Sequence, residues 1–159
     1  MNYEQKFLEL GKEIPSVEPS VPNGCNFVLY RQTGNLLILS GYGPFWGTQV
    51  PPAFTGKVGK DLTLEQAYKA ARLTAINLLL ITRQAIQTLN NVAEIIEING
   101  MVNCVPEFTN QPEVINGCSD LLVSIFGENG RHTRSAVGMS SLAFNISVEI
   151  SMSLLIKEK

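Results

Sequence analysis

The chain has 159 residues, the size of one domain around one core, with a formal net charge of −2 and a pI near 5.4. Its 12 Lys and Arg are scattered among 14 Asp and Glu, so no cationic footprint awaits a phosphate backbone, and nucleic acid is excluded as a first reading. Apolar residues make up 45% but charged residues only 16%, below the roughly 25% usual in soluble domains, so part of the surface is expected to be hidden in an oligomer.

In chain order, Tyr3, Phe7, Leu8 and Leu10 predict a short helix ended by Gly11. Pro15, Pro19, Pro22 and Gly24 then punctuate an extended lead-in, which divides the chain into residues 1–24 and a domain over 25–159. Phe27 to Arg31 and Asn35 to Ser40 flank Gln32-Thr33-Gly34 as a hairpin. Its second strand is apolar at Leu36, Leu37, Ile38 and Leu39, so both sheet faces should be covered there, one by helices and the other by a second subunit.

Gly41 to Lys60 has no sustained period and reads as a long loop. Its aromatics argue against disorder, and Trp46 is expected to anchor it to the body or to line a pocket. Thr63 and Gln66 form a capping-box pattern ahead of the longest helix, whose Ala67, Ala70, Ala71 and Ala75 should let it lie close to the sheet. Val92 to Val105 reads as a strand interrupted near Gly100. Pro112 opens a second helix, with Val114, Cys118, Leu121, Leu122 and Ile125 on one side, closing at Gly127. Two strands follow, the last alternating Ile146, Val148, Ile150, Met152 and Leu154 with Ser147, Glu149, Ser151 and Ser153. The expected class is α+β, a single sheet with two helices on one face.

Cys25, Cys104 and Cys118 are odd in number and lack C-x-x-C spacing, and His132 is the single histidine. These exclude a disulfide framework, a zinc site and a Ser-His-Asp triad as first readings, leaving reduced, largely buried thiols and a structural or solvent-facing histidine. Charges at Glu4, Lys6, Glu9 and Lys12 and an apolar run only from Leu78 to Ile81 fit neither a signal peptide nor a membrane span, so a soluble, cytoplasmic protein is expected.

Chemistry has two candidate carriers. Arg134, three residues after Arg131, offers planar bidentate recognition of a carboxylate or phosphate. Glu149 is the only ionisable residue on an otherwise serine-bearing strand face, where it either guards an edge or, if partly buried near Arg134, holds a water. Ser40-Gly41 and Asn116 carry no motif alone.

Together these positions resemble the Rid/YjgF family (L-PSP endoribonuclease-like), in its longer chorismate-mutase-like branch, from about Phe27 onward. The resemblance rests on Asn35-Leu36-Leu37-Ile38-Leu39-Ser40-Gly41, the long helix, Asn116, and Arg134-Ser135-Ala136-Val137 with Glu149 fifteen residues beyond Arg134. It implies a homotrimer with clefts between subunits and no metal or organic cofactor. Arg134 would hold the carboxylate of a small 2-imino or 2-enamino acid and Glu149 would position the hydrolytic water, with Ser40, Gly41, Asn116 and Phe27 lining the cleft. Phe27 stands where the family's deaminases have a tyrosine, and Ala136 where they have a cysteine. The resemblance therefore also leaves a non-catalytic carboxylate-binding trimer, and third an endoribonuclease, as readings.

Overall fold

The structure, a computed structural model, describes residues 1–158. Its elements are α1 (Tyr3–Leu8), β1 (Tyr30–Thr33), β2 (Leu36–Tyr42), α2 (Leu64–Ile86), β3 (Val92–Asn103), α3 (Gln111–Phe126), β4 (Thr133–Met139) and β5 (Val148–Ile156). The five strands form one mixed sheet in the order β1-β2-β5-β3-β4. Among the described residues only β3 and β4 run parallel, joined by α3 as the crossover that parallel neighbours need. Among the described residues no helix is long and apolar enough to cross a membrane.

Both long helices obey their end signals. Thr63 accepts the Gln66 amide while the Gln66 side chain accepts the Thr63 amide, the reciprocal bonds of a capping box. Pro112 sits in the first turn of α3, where its missing N–H costs nothing, and Gly127 ends the helix at φ +62°. The core lies between these helices and one sheet face, filled by Leu37, Leu39, Ile98, Val102, Ile150 and Met152 from the strands and by Leu78, Ile81, Leu121 and Leu122 from the helices. Helix α1 adds the fully buried Phe7 to it, and Glu4 holds α1 down by accepting the Leu89 amide and lying 2.8 Å from Arg83 Nε.

Four expectations are corrected or extended. The hairpin turn is Gly34-Asn35, with Thr33 paired to Leu36, and β1 starts only at Tyr30. Gly34 at φ +58° supplies the left-handed first position that a two-residue loop requires. Second, β3 is not interrupted at Gly100, which pairs with both Ala136 and Ile150; its irregularities fall earlier, between Val92 and Glu94 and between Ile95 and Glu97. Gly100 is instead a contact point for α3, because a Cβ there would lie 2.5 Å from Ile115 Cδ1. Third, the small face of α2 also admits a helix: Gly117 of α3 sits over the Tyr68 carbonyl and Ala71. Fourth, Cys104 and Cys118 are buried but Cys25 is exposed.

The loop after β2 is irregular yet pinned. Asn77, buried on α2, donates to the carbonyls of Gly43 and Phe45 at 3.0 and 2.8 Å. Asn103 donates to the Gly56 and Ile146 carbonyls, and Val58 is fully buried. These bonds, more than the Trp46 ring, anchor the loop; Trp46 is 45% exposed and lines a groove with Phe54, Tyr68 and Ile76.

The sheet face away from the helices is bare within one chain. Ile38 of β2 and Val137 of β4 lie on it, each 46% exposed. In the isolated chain, the four-residue apolar run of β2 is therefore covered on one side only.

Candidate functional site

The site residues anticipated from sequence fall into two groups, and the strand register decides which belongs where. Arg134 pairs with Ile98, and Glu149 pairs with Met101, three residues along the same strand β3. Side chains alternate along a strand, so an odd offset sends the two to opposite faces of the sheet. Ile98 is buried under the helices, which puts Arg134 on the helix face and Glu149 on the bare one. A single chain does not bring them to one cleft.

The first group is built on the β4 edge and on α3. Arg134 Nη1 donates to Ser119 Oγ at 3.0 Å, and Nη2 donates to the Pro112 carbonyl at 3.2 Å. With two of its five N–H donors engaged, the guanidinium keeps three, enough for a bidentate grip on a carboxylate. It opens on a pocket of about 570 Å³ lined by Asn116, Ser119, Asp120, Arg131 and His132. Asn116 and Ser119 share that pocket because they lie one turn apart on α3. His132 joins them because it precedes Arg134 by two residues on the strand approach.

Ser119 and His132 were not among the anticipated site residues, although both spacings were legible. Their Oγ and Nε2 are 2.9 Å apart, and His132 Nδ1 lies 2.7 Å from the Gly130 carbonyl. Burial outweighs the opposing hydrogen bond to the Gly130 carbonyl and, with a smaller contribution from the Arg134 charge, holds the His132 pKa below its ordinary value, which favours the neutral ring near pH 7. Ala136, two residues beyond Arg134 on the same face, pairs with Gly100 and adds no polar atom. Cys118 is no reactive neighbour, since burial pushes its thiol up to about 12.

The second group centres on a β-bulge. Leu39 pairs with Met152 and Tyr42 with Ile150, so β2 holds one residue more than β5 across Ser40-Gly41. Ser40 Oγ donates to the Val28 carbonyl at 2.7 Å, and its amide donates to the Leu29 carbonyl at 2.8 Å. Glu149 packs flat on Gly41, where a Cβ would come within 3.2 Å of the carboxylate carbon and Oε2. Half-burial raises the Glu149 pKa. Phe27, 44% exposed, lines a recess of about 450 Å³ with Tyr30, Arg31, Ile38 and Ser40.

These two groups of residues lie in a chain whose residues 4–153 match one family model, described as "YjgF/chorismate_mutase-like, putative endoribonuclease". The chain belongs to the YjgF family. Protein TCP17 of Trypanosoma cruzi is 37% identical over 142 residues, 89% of this chain and 86% of its own length. The crystal structure of protein Atu1372 from Agrobacterium tumefaciens superposes with a TM-score of 0.84 at 40% identity, covering 98% of this chain and 92% of that one. A Shewanella oneidensis protein described as a "putative endoribonuclease" gives a TM-score of 0.88 at 27% identity, over 98% and 99% of the two chains. The single mixed sheet with helices on it is thus the YjgF fold.

Proposed function

We propose that this YjgF protein hydrolyses small 2-imino acids to 2-keto acids and ammonia in a cleft completed by two copies of the chain. The observation that carries the reading is the Arg134 guanidinium, moored to α3 by two hydrogen bonds with three donors left over a pocket. Arg134 and Asn116 from one copy would hold the substrate carboxylate. Glu149 over the Ser40-Gly41 bulge would come from the next, since one chain faces the two groups apart. The bare sheet face, with Ile38 and Val137 exposed, supports such an assembly, for which the family resemblance implies a trimer.

The chemistry follows from these positions. The Arg134 guanidinium pairs with the carboxylate and draws electron density from the adjacent imine carbon. Glu149, made more basic by burial, takes a proton from the water that adds to that carbon. The protonated Glu149 gives that proton to the imine nitrogen, completing the carbinolamine; its carboxylate then takes the hydroxyl proton and passes it to the same nitrogen, so the C=O bond forms as the C–N bond breaks and ammonia leaves. No oxidant or metal enters the balance.

Ammonia release from freshly generated 2-iminopropanoate tests the reading. The expected result is a rate above background that falls at least about a hundredfold in Arg134→Ala, the scale of losing substrate positioning. A wild-type rate equal to background, beside an active Rid deaminase, refutes it. The second reading, a carboxylate-binding protein without turnover, is favoured by Phe27 and Ala136, which place no hydroxyl or thiol at their positions. Arg134-dependent thermal shifts with 2-keto acids in the absence of turnover would select it. The net charge of −2 gives ribonuclease activity no comparable support.

A further inference from the structure

The hydrogen-bond directions around His132 can be assigned from chemistry alone. The Gly130 carbonyl only accepts, so the Nδ1 atom 2.7 Å from it carries the ring proton. A neutral imidazole has one proton, so Nε2 is left with its lone pair and accepts from the Ser119 hydroxyl 2.9 Å away. With its own hydrogen committed to Nε2, Ser119 Oγ presents lone pairs to Arg134, and Nη1 donates to it at 3.0 Å. Each group in the row therefore has one role available, and the row begins at a fixed backbone carbonyl.

The other charged groups facing this row are Arg131 and Asp120. Arg131 is largely exposed, its nearest acid Glu128 3.8 Å away, and Asp120 accepts the Tyr68 hydroxyl at 2.8 Å. Neither competes for Ser119 or His132. On the far side of the guanidinium the Pro112 carbonyl fixes Nη2. A free arginine side chain loses rotamer entropy when a ligand immobilises it, whereas a moored one has already lost it on folding.

We propose that Ser119 and His132 form a positioning relay that runs from the Gly130 carbonyl to Nη1 of Arg134 and holds the guanidinium in the orientation that takes a carboxylate. The carboxylate part rests on the proposed function above; the relay itself is a property of the free protein. Ser119 and His132 are positioning residues, because they act through Arg134.

The single histidine makes the test clean. Nitrogen-15 NMR of the imidazole in the ligand-free protein at pH 7.5 is expected to show a protonated Nδ1 and a lone-pair Nε2, the minority form of free imidazole. Arg134 is expected to show slow guanidinium rotation that quickens in Ser119→Ala. Pyruvate binding by calorimetry should weaken about tenfold in Ser119→Ala and in His132→Leu, the loss of one hydrogen bond to a charged group. His132→Gln, which keeps an acceptor for Ser119, should recover part of it, and melting curves establish that each variant is folded. A protonated Nε2, or free rotation of Arg134 in the wild type, overturns the relay whether or not pyruvate binds. Unchanged pyruvate affinity in Ser119→Ala also overturns it. Absence of pyruvate and 2-ketobutyrate binding in a wild type with the expected NMR signals defeats the proposed function and leaves the relay standing.

Discussion

Replacing Gly117 with alanine adds one methyl group at the crossing of α3 over α2, and the two relevant effects have opposite signs. Helix propensity favours the change by about 1 kcal/mol, because alanine is the better helix former. Space opposes it: the new Cβ would lie 2.0 Å from the Tyr68 carbonyl oxygen and 2.9 Å from its carbon, with Ala71 Cβ at 3.1 Å. The first two contacts are backbone, so no side chain can swing aside, and α3 has to withdraw on the order of 1 Å from α2. Overpacking of this kind costs about 1–3 kcal/mol and sometimes more, since separated helices also forfeit dispersion contacts along their seam. A clash this close with backbone puts the cost at or above the upper end of that range, so after the propensity gain a net destabilisation of about 2 kcal/mol is expected, a fall in Tm of roughly 4–8 °C for a chain of this size. Thermal unfolding followed by circular dichroism at one fixed protein concentration measures it. Because Asn116 and Ser119 flank Gly117, carboxylate binding should weaken as well. A Tm equal to or above wild type would mean that propensity outweighs packing, refuting the inference of a close helix crossing at Gly117.

Three further outcomes follow from the same geometry. Asn77→Ala should cost about 1–3 kcal/mol by leaving the Phe45 carbonyl unpaired and the Gly43 carbonyl with only the Phe45 amide, and limited proteolysis should move to the 43–60 loop; unchanged urea midpoints and cleavage would contradict this. Glu149 holds its proton more tightly in the folded chain than in the unfolded one, so its contribution to stability declines as pH rises above the ordinary carboxyl value of 4.5 through the raised folded value. Urea titrations of wild type and Glu149→Gln from pH 4 to 8 should show that decline removed in the variant; parallel profiles would exclude it. Gly41→Ala forces the Glu149 carboxylate to shift by a few tenths of an ångström. Turnover should drop about tenfold with little change in Tm, and unaltered turnover would separate Glu149 from the reaction.

Local structure was legible where one residue type has one physical use. The Thr63 and Gln66 pair, Pro112 at the start of α3 and Gly127 at its end each satisfy or spare terminal backbone groups, so α2 and α3 could be bounded from their letters. The alternation from Val148 to Leu154 named the buried face of β5, and Phe27, Ser40, Asn116, Arg134 and Glu149 could be placed on the family pattern. Gly41 and Gly100 were less transparent. Both owe their size to a partner distant in sequence, Glu149 in one case and Ile115 in the other, and nothing in the neighbouring residues announces which element will arrive. His132 was discounted because one histidine builds no triad; its use lies in a serine thirteen positions earlier that α3 carries to it.

The sequence by itself determined which residues alternate, which helices form, and that Arg134 and Glu149 stand fifteen apart on two strands. It did not determine that they face apart. Alternation defines the two faces of each strand relative to itself, while the phase between strands comes from register, and a slip of one residue would reverse it. Here β4 and β5 are both locked to β3, with Ile98 beneath the helices opposite Arg134 and Met101 opposite Glu149. That pairing, a property of the folded sheet, puts the two candidate groups on opposite faces, and it is why the proposed function calls on a second copy of the chain to join them.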